Sequence, residues 1–220
     1  MRRISIQGGK FTGLESSADG SKSIDVIIVN AAEVSRSYYK GEYDPKVKKL
    51  PYCWSANTQT PAPEVPEDQR QSTRCMDCVN NVRGSGNGSG RACRFHQRLA
   101  VVEERVLDKV YQLQVPASSI FGKERSKGTM PLQAYAKFLS GHETPSIAVV
   151  TRISFDGDSS VPKLFFYPQR PLEEEELDEV RFMVDHDDTL QAIAFTVDAY
   201  NVNGGSPFVE VEGFDINSLS

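Results

Sequence analysis

The chain has 220 residues, of which 39% are hydrophobic and 25% are charged, proportions that are ordinary for a globular protein. This length suffices for one large domain or for a domain with a small insertion. No apolar run approaches the roughly 18 residues that a membrane helix needs, and no apolar stretch of a secretion signal follows Met1 to Ile6. We therefore expect a soluble, cytoplasmic protein whose cysteines are reduced.

The net charge of -5 hides a division along the chain. Residues 1–127 carry 20 lysines and arginines against 14 acidic residues, whereas residues 128–220 carry 5 against 16. A basic half joined to an acidic half indicates that the first half contacts a polyanion. A chance drift in surface charge gives the same pattern without any function, so the charges alone do not decide.

The first predicted element is a central strand over residues 23–34. It contains the aliphatic run Val26 to Val29, which is rich in strand formers and too short for a buried helix. Polar, basic and aromatic residues continue it as far as Lys40, as at the exposed end of a strand. Gly41 and Asp44-Pro45 then indicate a turn.

Beyond a long loop, sequence periodicity predicts four more strands and two helices. The strands cover residues 99–106, 110–115, 146–155 and 161–167, and the helices cover 130–139 and 172–184. The second helix has an acidic first turn, as the helix dipole prefers. Five strands with one helix between the third and the fourth is the order of an oligonucleotide-binding (OB) barrel.

We therefore predict a mainly β (α+β) fold with three parts. An OB-like five-stranded barrel is expected from residues 1–50 and 98–170. Residues 51–97 form an insertion, and residues 171–220 form an acidic C-terminal segment that contains a helix. Aromatic residues of the later strands, among them Phe155, Phe165, Phe166 and Tyr167, are assigned mainly to the core.

The insertion differs in composition from the rest of the chain. Three prolines between residues 61 and 66 precede a glycine-rich run from Gly84 to Gly90, and such a stretch cannot order itself by burying apolar surface. All cysteines of the chain lie in residues 51–97: Cys53, Cys75, Cys78 and Cys93. A bound metal ion explains how so long a loop can be ordered.

The spacing of the cysteines predicts one structural zinc site. Cys75 and Cys78 form a C-x-x-C pair, whose tight turn points two thiolates at one ion, and Cys53 and Cys93 supply the other two ligands. Nearby arginines offset the negative charge of four thiolates: Arg74, Arg83, Arg91 and Arg94. Four filled positions leave no room for the water of a catalytic zinc.

Other arrangements of these residues stay open. His96 follows Cys93 at a ligand-like spacing, so Cys75, Cys78, Cys93 and His96 form an alternative ligand set that leaves Cys53 free. Two disulfides or four unpaired thiols are further alternatives, which the expected reducing compartment disfavours.

Basic and aromatic residues interleave in the same half of the chain. A cationic groove and stacking aromatic rings are what holds a single strand of nucleic acid. Our candidate contacts around the first strand and the first cysteine are Arg36, Tyr38, Tyr39, Lys40, Tyr43, Lys48, Lys49, Tyr52 and Trp54. Those after the glycine-rich run are Arg91, Arg94, Phe95 and Arg98, followed by Phe121, Lys123 and Arg125.

Several of these pieces resemble a group of tailed-bacteriophage proteins associated with phage replication genes. The resemblance covers about residues 24 to 170, and the cysteine spacing is its most specific part. It rests on the following runs: Val26-Ile27-Ile28-Val29, Ser35-Arg36-Ser37-Tyr38-Tyr39, Pro51-Tyr52-Cys53-Trp54-Ser55, Cys75-x-x-Cys78, Ala92-Cys93-Arg94, Arg98-Leu99-Ala100-Val101, Thr151-Arg152-Ile153-Ser154-Phe155 and Lys163-Leu164-Phe165-Phe166.

The arrangement is also similar to that of phage single-stranded-DNA-binding proteins of the helix-destabilising kind, although their best-known zinc site uses one histidine and three cysteines. The resemblance implies binding of single-stranded DNA during phage replication or recombination, in the cytoplasm of an infected bacterium. Independently of the resemblance, the acidic charge of the C-terminal segment leads to the hypothesis that it occupies the basic groove when nucleic acid is absent and recruits basic partners such as replication or recombination proteins.

The sequence offers little for an enzyme. It lacks a phosphate-binding Gly-x-x-x-x-Gly-Lys loop, a His-Glu-x-x-His pair and a Gly-x-Ser-x-Gly elbow. The run Asp185 to Asp188 is interpreted as an acidic loop rather than a metal cluster. The alternative function is a protein-interaction module, whose zinc loop docks on a replication, transcription or nuclease partner.

Overall fold

Eight strands form one curled, open sheet in the computed structural model, which describes residues 1–16, 18–41, 50–124 and 128–195. The strands are β1 Arg2–Ile4, β2 Ser23–Ala31, β3 Ser35–Tyr38, β4 Cys53–Ser55, β5 Cys93–Glu103, β6 Val106–Pro116, β7 Val149–Phe155 and β8 Leu164–Pro171. The helices within these ranges are α1 Ala117–Ile120, α2 Leu132–Gly141, α3 Glu174–Met183 and α4 Asp187–Ile193. The predicted mainly β fold is confirmed.

The strands follow the order β1-β6-β5-β2-β7-β8, and β1 pairs with β6 in parallel. The chain leaves β2 at Ala31 and re-enters the sheet at Ser35, so the single strand predicted over residues 23–34 and continued as far as Lys40 is two strands. The long strand β5 pairs with β3 along its first half and with β2 along its second half. β4 then pairs with the outer edge of β3, which joins the insertion to the sheet.

The five predicted strands correspond to β2, β5, β6, β7 and β8, with α2 between the third and fourth. They lie in the spatial order third, second, first, fourth, fifth. In the described ranges no ladder of hydrogen bonds joins β6 to β8, so the expected five-stranded barrel is an open, half-barrel sheet with three additional short strands. The gap is bridged by α1, because the Ser119 hydroxyl accepts a 2.8 Å hydrogen bond from the Leu164 amide.

One face of the sheet is the concave inner face of this half-barrel. Alternate residues of all five long strands, such as Val26, Leu99 and Ile153, point into it because successive side chains of a strand alternate between faces. Helix α2 closes it with Leu132, Tyr135 and Leu139. The Tyr135 hydroxyl is satisfied by a 2.7 Å hydrogen bond to Thr151 Oγ1.

The outer face is covered by α3 and α4, whose Val180 and Ala192 pack on aliphatic residues of β2, β5 and β6. Glu173 and Glu176 form a capping box at the start of α3, as its acidic first turn suggested. The interpretation of residues 185–188 as a loop is wrong at its end, because α4 begins at Asp187 and the His186 ring accepts a hydrogen bond from the Asp188 amide.

The assignment of later aromatic residues to the core holds for Phe166 and Phe165, whereas Tyr167 is 41% exposed. Among the helices of the described ranges, none has both the length and the apolar character needed to cross a bilayer.

Candidate metal centre and nucleic-acid interface

The ladder of β4, β3 and β5 brings two distant cysteines to one face of the sheet. Tyr38 in β3 is paired with Cys53 in β4 on one side and with Cys93 in β5 on the other. Directly paired residues point to the same face, so both thiols lie on the same side. Two strand spacings separate their Cα atoms by about 10 Å, which is too far for a disulfide between them.

The C-x-x-C pair is delivered by two consecutive 3₁₀ turns, Cys75–Asp77 and Val79–Asn81. The Cys75 amide donates a 2.8 Å hydrogen bond to the Gln59 carbonyl oxygen. Arg36 Nη1 donates a 3.2 Å hydrogen bond to the Cys75 carbonyl oxygen. These two bonds hold the first turn against the sheet, with Cys75 and Cys78 buried.

All four cysteines line one cavity of about 20 Å³, together with Arg36, Tyr38, Trp54, Ser55, Pro61, Gln71 and Ser72. This is room for a single water-sized occupant. Across the described residues, no group of three or more His, Cys, Asp or Glu side chains lies in an arrangement that could hold a metal ion as placed. The cysteines therefore share a cavity, but their sulfurs do not stand at coordination spacing.

The thiols in this cavity are reduced and buried. Burial raises the pKa of Cys93 to about 12, although Arg36 acts in the opposite direction. Burial also raises the pKa of Cys53. A hydrogen bond from the Gln71 backbone amide to the Cys53 sulfur lowers this pKa, but by less. Protons therefore hold these sulfurs tightly unless a cation competes for them.

His96 lies away from this cavity. It is three residues from Cys93 in the same strand, so its side chain points to the opposite face. There it is 7% exposed and stacks on Phe195, with ring centroids 6.2 Å apart. Burial, and then Arg98, lower the pKa of His96 to about 4. The structure thus places Cys53, and not the alternative ligand His96, with the other three cysteines.

A second group of candidates meets beside the cavity, around the half-buried ring of Phe95. Its ring lies 5.5 Å from that of Phe121 in an edge-to-face arrangement. The guanidinium carbons of Arg36 and Arg91 lie 4.1 Å and 5.9 Å from its centroid. Phe121 is 40% exposed, and Arg91 and Lys123 are exposed as well. Lys123 follows Phe121 by two residues in sequence, and we call Arg91, Phe95, Phe121 and Lys123 the ring cluster.

Other candidates lie on the neighbouring surface of β3 to β5. Lys40 Nζ lies 4.9 Å from the Tyr52 ring centroid, and Tyr38 meets the same ring edge-on at 6.3 Å. Tyr39 is 48% exposed, and Arg98 and Arg94 oppose the rise that burial causes in its pKa. Trp54 packs partly on Cys53 and its small apolar cluster.

Two predicted nucleic-acid contacts are corrected by the structure. Arg36 is 2% exposed and is committed to Cys75 and Phe95. Arg98 is 8% exposed, donates from Nη1 to the Ala194 carbonyl oxygen at 3.1 Å and stacks on Phe195 at 4.5 Å. Neither guanidinium is placed to reach a phosphate group. Four candidates lie outside the described residues: Tyr43, Lys48, Lys49 and Arg125.

No sequence signal identifies the residues that complete the cavity, Ser55, Gln71 and Ser72. They come from a strand of three residues and from an irregular loop, where no periodicity marks them. We call residues 74–92 the cysteine loop, and the role of Arg36 as an inner support of this loop was also missed. The alternation of buried and exposed residues along a strand does not reveal this role, because Ser35, Arg36 and Ser37 are all buried.

Comparison of the chain with protein-family models, with curated proteins and with solved structures finds no match. The resemblance to bacteriophage proteins stays a prediction. Any function has to be argued from the cavity, the ring cluster and their surroundings.

Proposed function

We propose that this chain binds single-stranded DNA beside a structural zinc site, in phage replication or recombination. The observation that carries the proposal is the ring cluster. It joins two neighbouring phenylalanine rings, one of them open to solvent, to the exposed guanidinium of Arg91, and the exposed Lys123 follows Phe121 by two residues. Stacking surface and positive charge in one place are the two requirements for holding a single strand.

The zinc part of the proposal assigns Cys53, Cys75, Cys78 and Cys93 as ligands. Four soft donors around a cavity of about 20 Å³ suit a tetrahedral ion better than any other cofactor. Arg36 lines the same cavity, and within the described residues its buried Nε has no hydrogen-bond partner. A cysteine thiolate is an acceptor that the cavity can offer to it. When bound, zinc would fix the loop, and no catalytic chemistry is assigned to it.

Strand order supports an OB-like interpretation of the sheet. The path from β6 through β5, β2 and β7 to β8 is that of an OB barrel opened between its third and fifth strands. In this interpretation, residues 39–92 are the loop between the first and second strands, and residues 156–163 are the loop between the fourth and fifth. OB folds bind oligonucleotides between those two loops.

The ring cluster is next to both of these loops, since Arg91 belongs to the first of them. Phe95 is on the second strand, and Phe121 follows the short helix α1 after the third strand. The Ser118 hydroxyl of α1 donates a 2.8 Å hydrogen bond to the Pro162 carbonyl oxygen, in the second of the two loops. The outer face of β5 and β6, by contrast, is covered by α4, because Gln112 donates to the Ala192 carbonyl oxygen at 2.6 Å. The bound single-stranded DNA would therefore run over the ring cluster.

Titration of a labelled single-stranded oligothymidine with the zinc-loaded full chain tests this proposal. Removal of one stacking ring costs about 1 to 3 kcal/mol, so Phe121→Ala should raise Kd by about 5- to 150-fold. Tyr167→Ala is the matched control, because its ring is equally exposed, at 41% against 40%, but lies on β8 outside the ring cluster. It should change Kd less than twofold.

Salt separates charge from stacking in the same assay. Lys123→Ala should reduce the slope of log Kd against log salt concentration by about 0.7, which is the contribution of one phosphate contact on a single strand. Lys137→Ala, a cation on the exposed side of α2, should leave that slope unchanged. Absence of binding at low salt, or equal effects of Phe121→Ala and Tyr167→Ala, would refute single-strand binding at the ring cluster.

A second candidate function is favoured by one observation on the cysteine loop. Met76, Val79 and Val82 are 66%, 71% and 60% exposed. Such a group of exposed apolar side chains is typical of a protein-interaction site. The loop would then act as a docking module, with or without a role for nucleic acid.

A further inference from the structure

Three large apolar side chains point into solvent from one side of the cysteine loop. Cys75 and Cys78 turn inward, and Met76, Val79 and Val82 turn outward. Val79 and Val82 are three residues apart across a single 3₁₀ turn, so they lie on the same side of it. The Asn81 side-chain amide donates to the Met76 carbonyl oxygen at 3.5 Å, which ties both turns together. We call these three residues the apolar ridge.

The apolar ridge has a basic border. Arg74, Arg83 and Arg91 flank it in sequence, and all three are exposed. Arg91 Nε donates a 2.7 Å hydrogen bond to the Asn81 carbonyl oxygen, so its guanidinium stays next to the ridge. One acidic residue, Asp77, lies within the loop and pairs with Arg74 at 3.6 Å. A partner for this surface needs an apolar side chain in an acidic setting.

The chain itself carries a surface of that kind on helix α3. Phe182 is 82% exposed, the largest exposed fraction among the large apolar side chains of the described residues. Asp178 and Glu179 lie one helical turn before it, and Asp185 follows it by three residues, just beyond the end of α3. Its one cationic neighbour in sequence, Arg181, is paired with Asp178 at 2.7 Å. We call Phe182 and these three acidic residues the acidic knob.

The two surfaces lie far apart within one chain. Val180 of α3 belongs to the apolar cluster of the outer face, which extends to Val102 near the far end of β5. The cysteine loop enters the sheet at Cys93, at the near end of β5, on the opposite face. Nine residues of extended strand separate Cys93 from Val102, which corresponds to about 30 Å.

We propose that the acidic knob of one chain docks on the apolar ridge of a second copy. The contact would bury Phe182 against Met76, Val79 and Val82, and would place acidic residues opposite the arginines of the border. It joins two different surfaces, so each chain keeps one free surface of each kind and association is head-to-tail. The interface is small and charged, so the association should be concentration-dependent and weakened by salt.

Sedimentation velocity of the zinc-loaded full chain over a range of concentrations tests this. Val79→Ser and Phe182→Ser should each weaken association at least tenfold. Val161→Ser is the matched control, since Val161 is 56% exposed but lies in the loop between β7 and β8; it should associate like the original chain. All three positions are exposed, so these substitutions should leave the fold intact, and circular dichroism checks this.

Mixing the two variants gives the sharpest result. The Val79→Ser chain keeps its acidic knob, and the Phe182→Ser chain keeps its apolar ridge. An equimolar mixture should therefore form one-to-one complexes that do not grow further, although each variant alone stays monomeric. Exchange of charges, Arg83→Glu with Glu179→Arg, should restore association that either change alone weakens.

A monomeric original chain at every concentration, or variants that associate as tightly as it does, would overturn this proposal. So would a mixture that stays monomeric. None of these three results bears on single-strand binding, because that binding depends on the ring cluster and is measured at protein concentrations far below those used in sedimentation.

Discussion

Arg36 and Arg98 form a natural pair for testing whether a metal ion is bound in the cysteine cavity. Both are buried, at 2% and 8% exposure, and each donates from Nη1 to one backbone carbonyl oxygen, at 3.2 and 3.1 Å. Each guanidinium also lies over one phenylalanine ring, at 4.1 and 4.5 Å. Arg36 lines the cysteine cavity, whereas Arg98 does not.

Replacement by glutamine removes one such hydrogen bond and one such cation-π contact in each case. A hydrogen bond from a charged donor contributes about 1.5 to 3 kcal/mol, and a buried cation-π contact contributes about 1 to 2 kcal/mol. Arg36→Gln and Arg98→Gln should therefore each lower the free energy of unfolding by about 3 kcal/mol in chelator. With zinc present, Arg36→Gln should lose more free energy of unfolding than Arg98→Gln, because the charge of Arg36 no longer offsets that of the thiolates.

The additional loss can be given a size. Residues that support metal ligands typically change metal affinity by about 10- to 100-fold, which corresponds to about 1.4 to 2.7 kcal/mol. Urea unfolding with and without a zinc chelator measures both variants. If Arg36→Gln and Arg98→Gln lose equal stability under both conditions, Arg36 does not support a metal site and the reasoning is refuted.

Three further changes are expected to have defined effects. Cys53→Ser should abolish stoichiometric zinc while His96→Gln retains it, because Cys53 lines the cavity and His96 does not; retention of zinc by Cys53→Ser would contradict the ligand set, and metal analysis decides. Ser119→Ala should lower the free energy of unfolding by about 1 to 3 kcal/mol by leaving the buried Leu164 amide unpaired, whereas Ser118→Ala, at an exposed hydrogen bond, should stay within about 0.5 kcal/mol; equal losses in urea would show that α1 does not bridge β6 and β8. Arg170 and the Glu173 amide lower the pKa of Glu176 to about 2 from 4.5, so its stabilisation is present above pH 4.5 and is lost as the pH falls toward 2. Glu176→Gln should cost about 1 kcal/mol at pH 7, allowing for the partial exposure of the pair, and urea curves of both proteins should converge in acid; a pH-independent difference would exclude the charge effect.

The five long strands and α2 could be predicted because their signals are local. The run Val26 to Val29 is buried on both faces of β2, and Leu132, Tyr135 and Leu139 share one face of α2. β1 and β4 were missed since each has three residues and exists through pairing with a distant strand. Asp187 and Asp188 in the first turn of α4 were an available sequence signal of a helix start. The helix has only seven residues, however, which is shorter than a typical periodic pattern.

For the candidate site, residue types were predictable and orientations were not. The cysteine spacing indicated that four thiols belong together, and the structure gathers them around one cavity. Which face each strand residue occupies depends on register, however, and register placed Phe95 beside the cavity and His96 against Phe195. Register likewise buried the side chains of Arg36 and Arg98. The number of basic residues in this half of the chain had led us to assign both to nucleic acid.

The zinc content of the purified chain tests the account most directly. Protein prepared without added chelator should contain one zinc ion per chain by elemental analysis. Its removal should lower the unfolding temperature and weaken binding of single-stranded oligothymidine in parallel. Protein that contains no stoichiometric zinc, takes up none when it is supplied under reducing conditions and is unaffected by chelators would contradict the account.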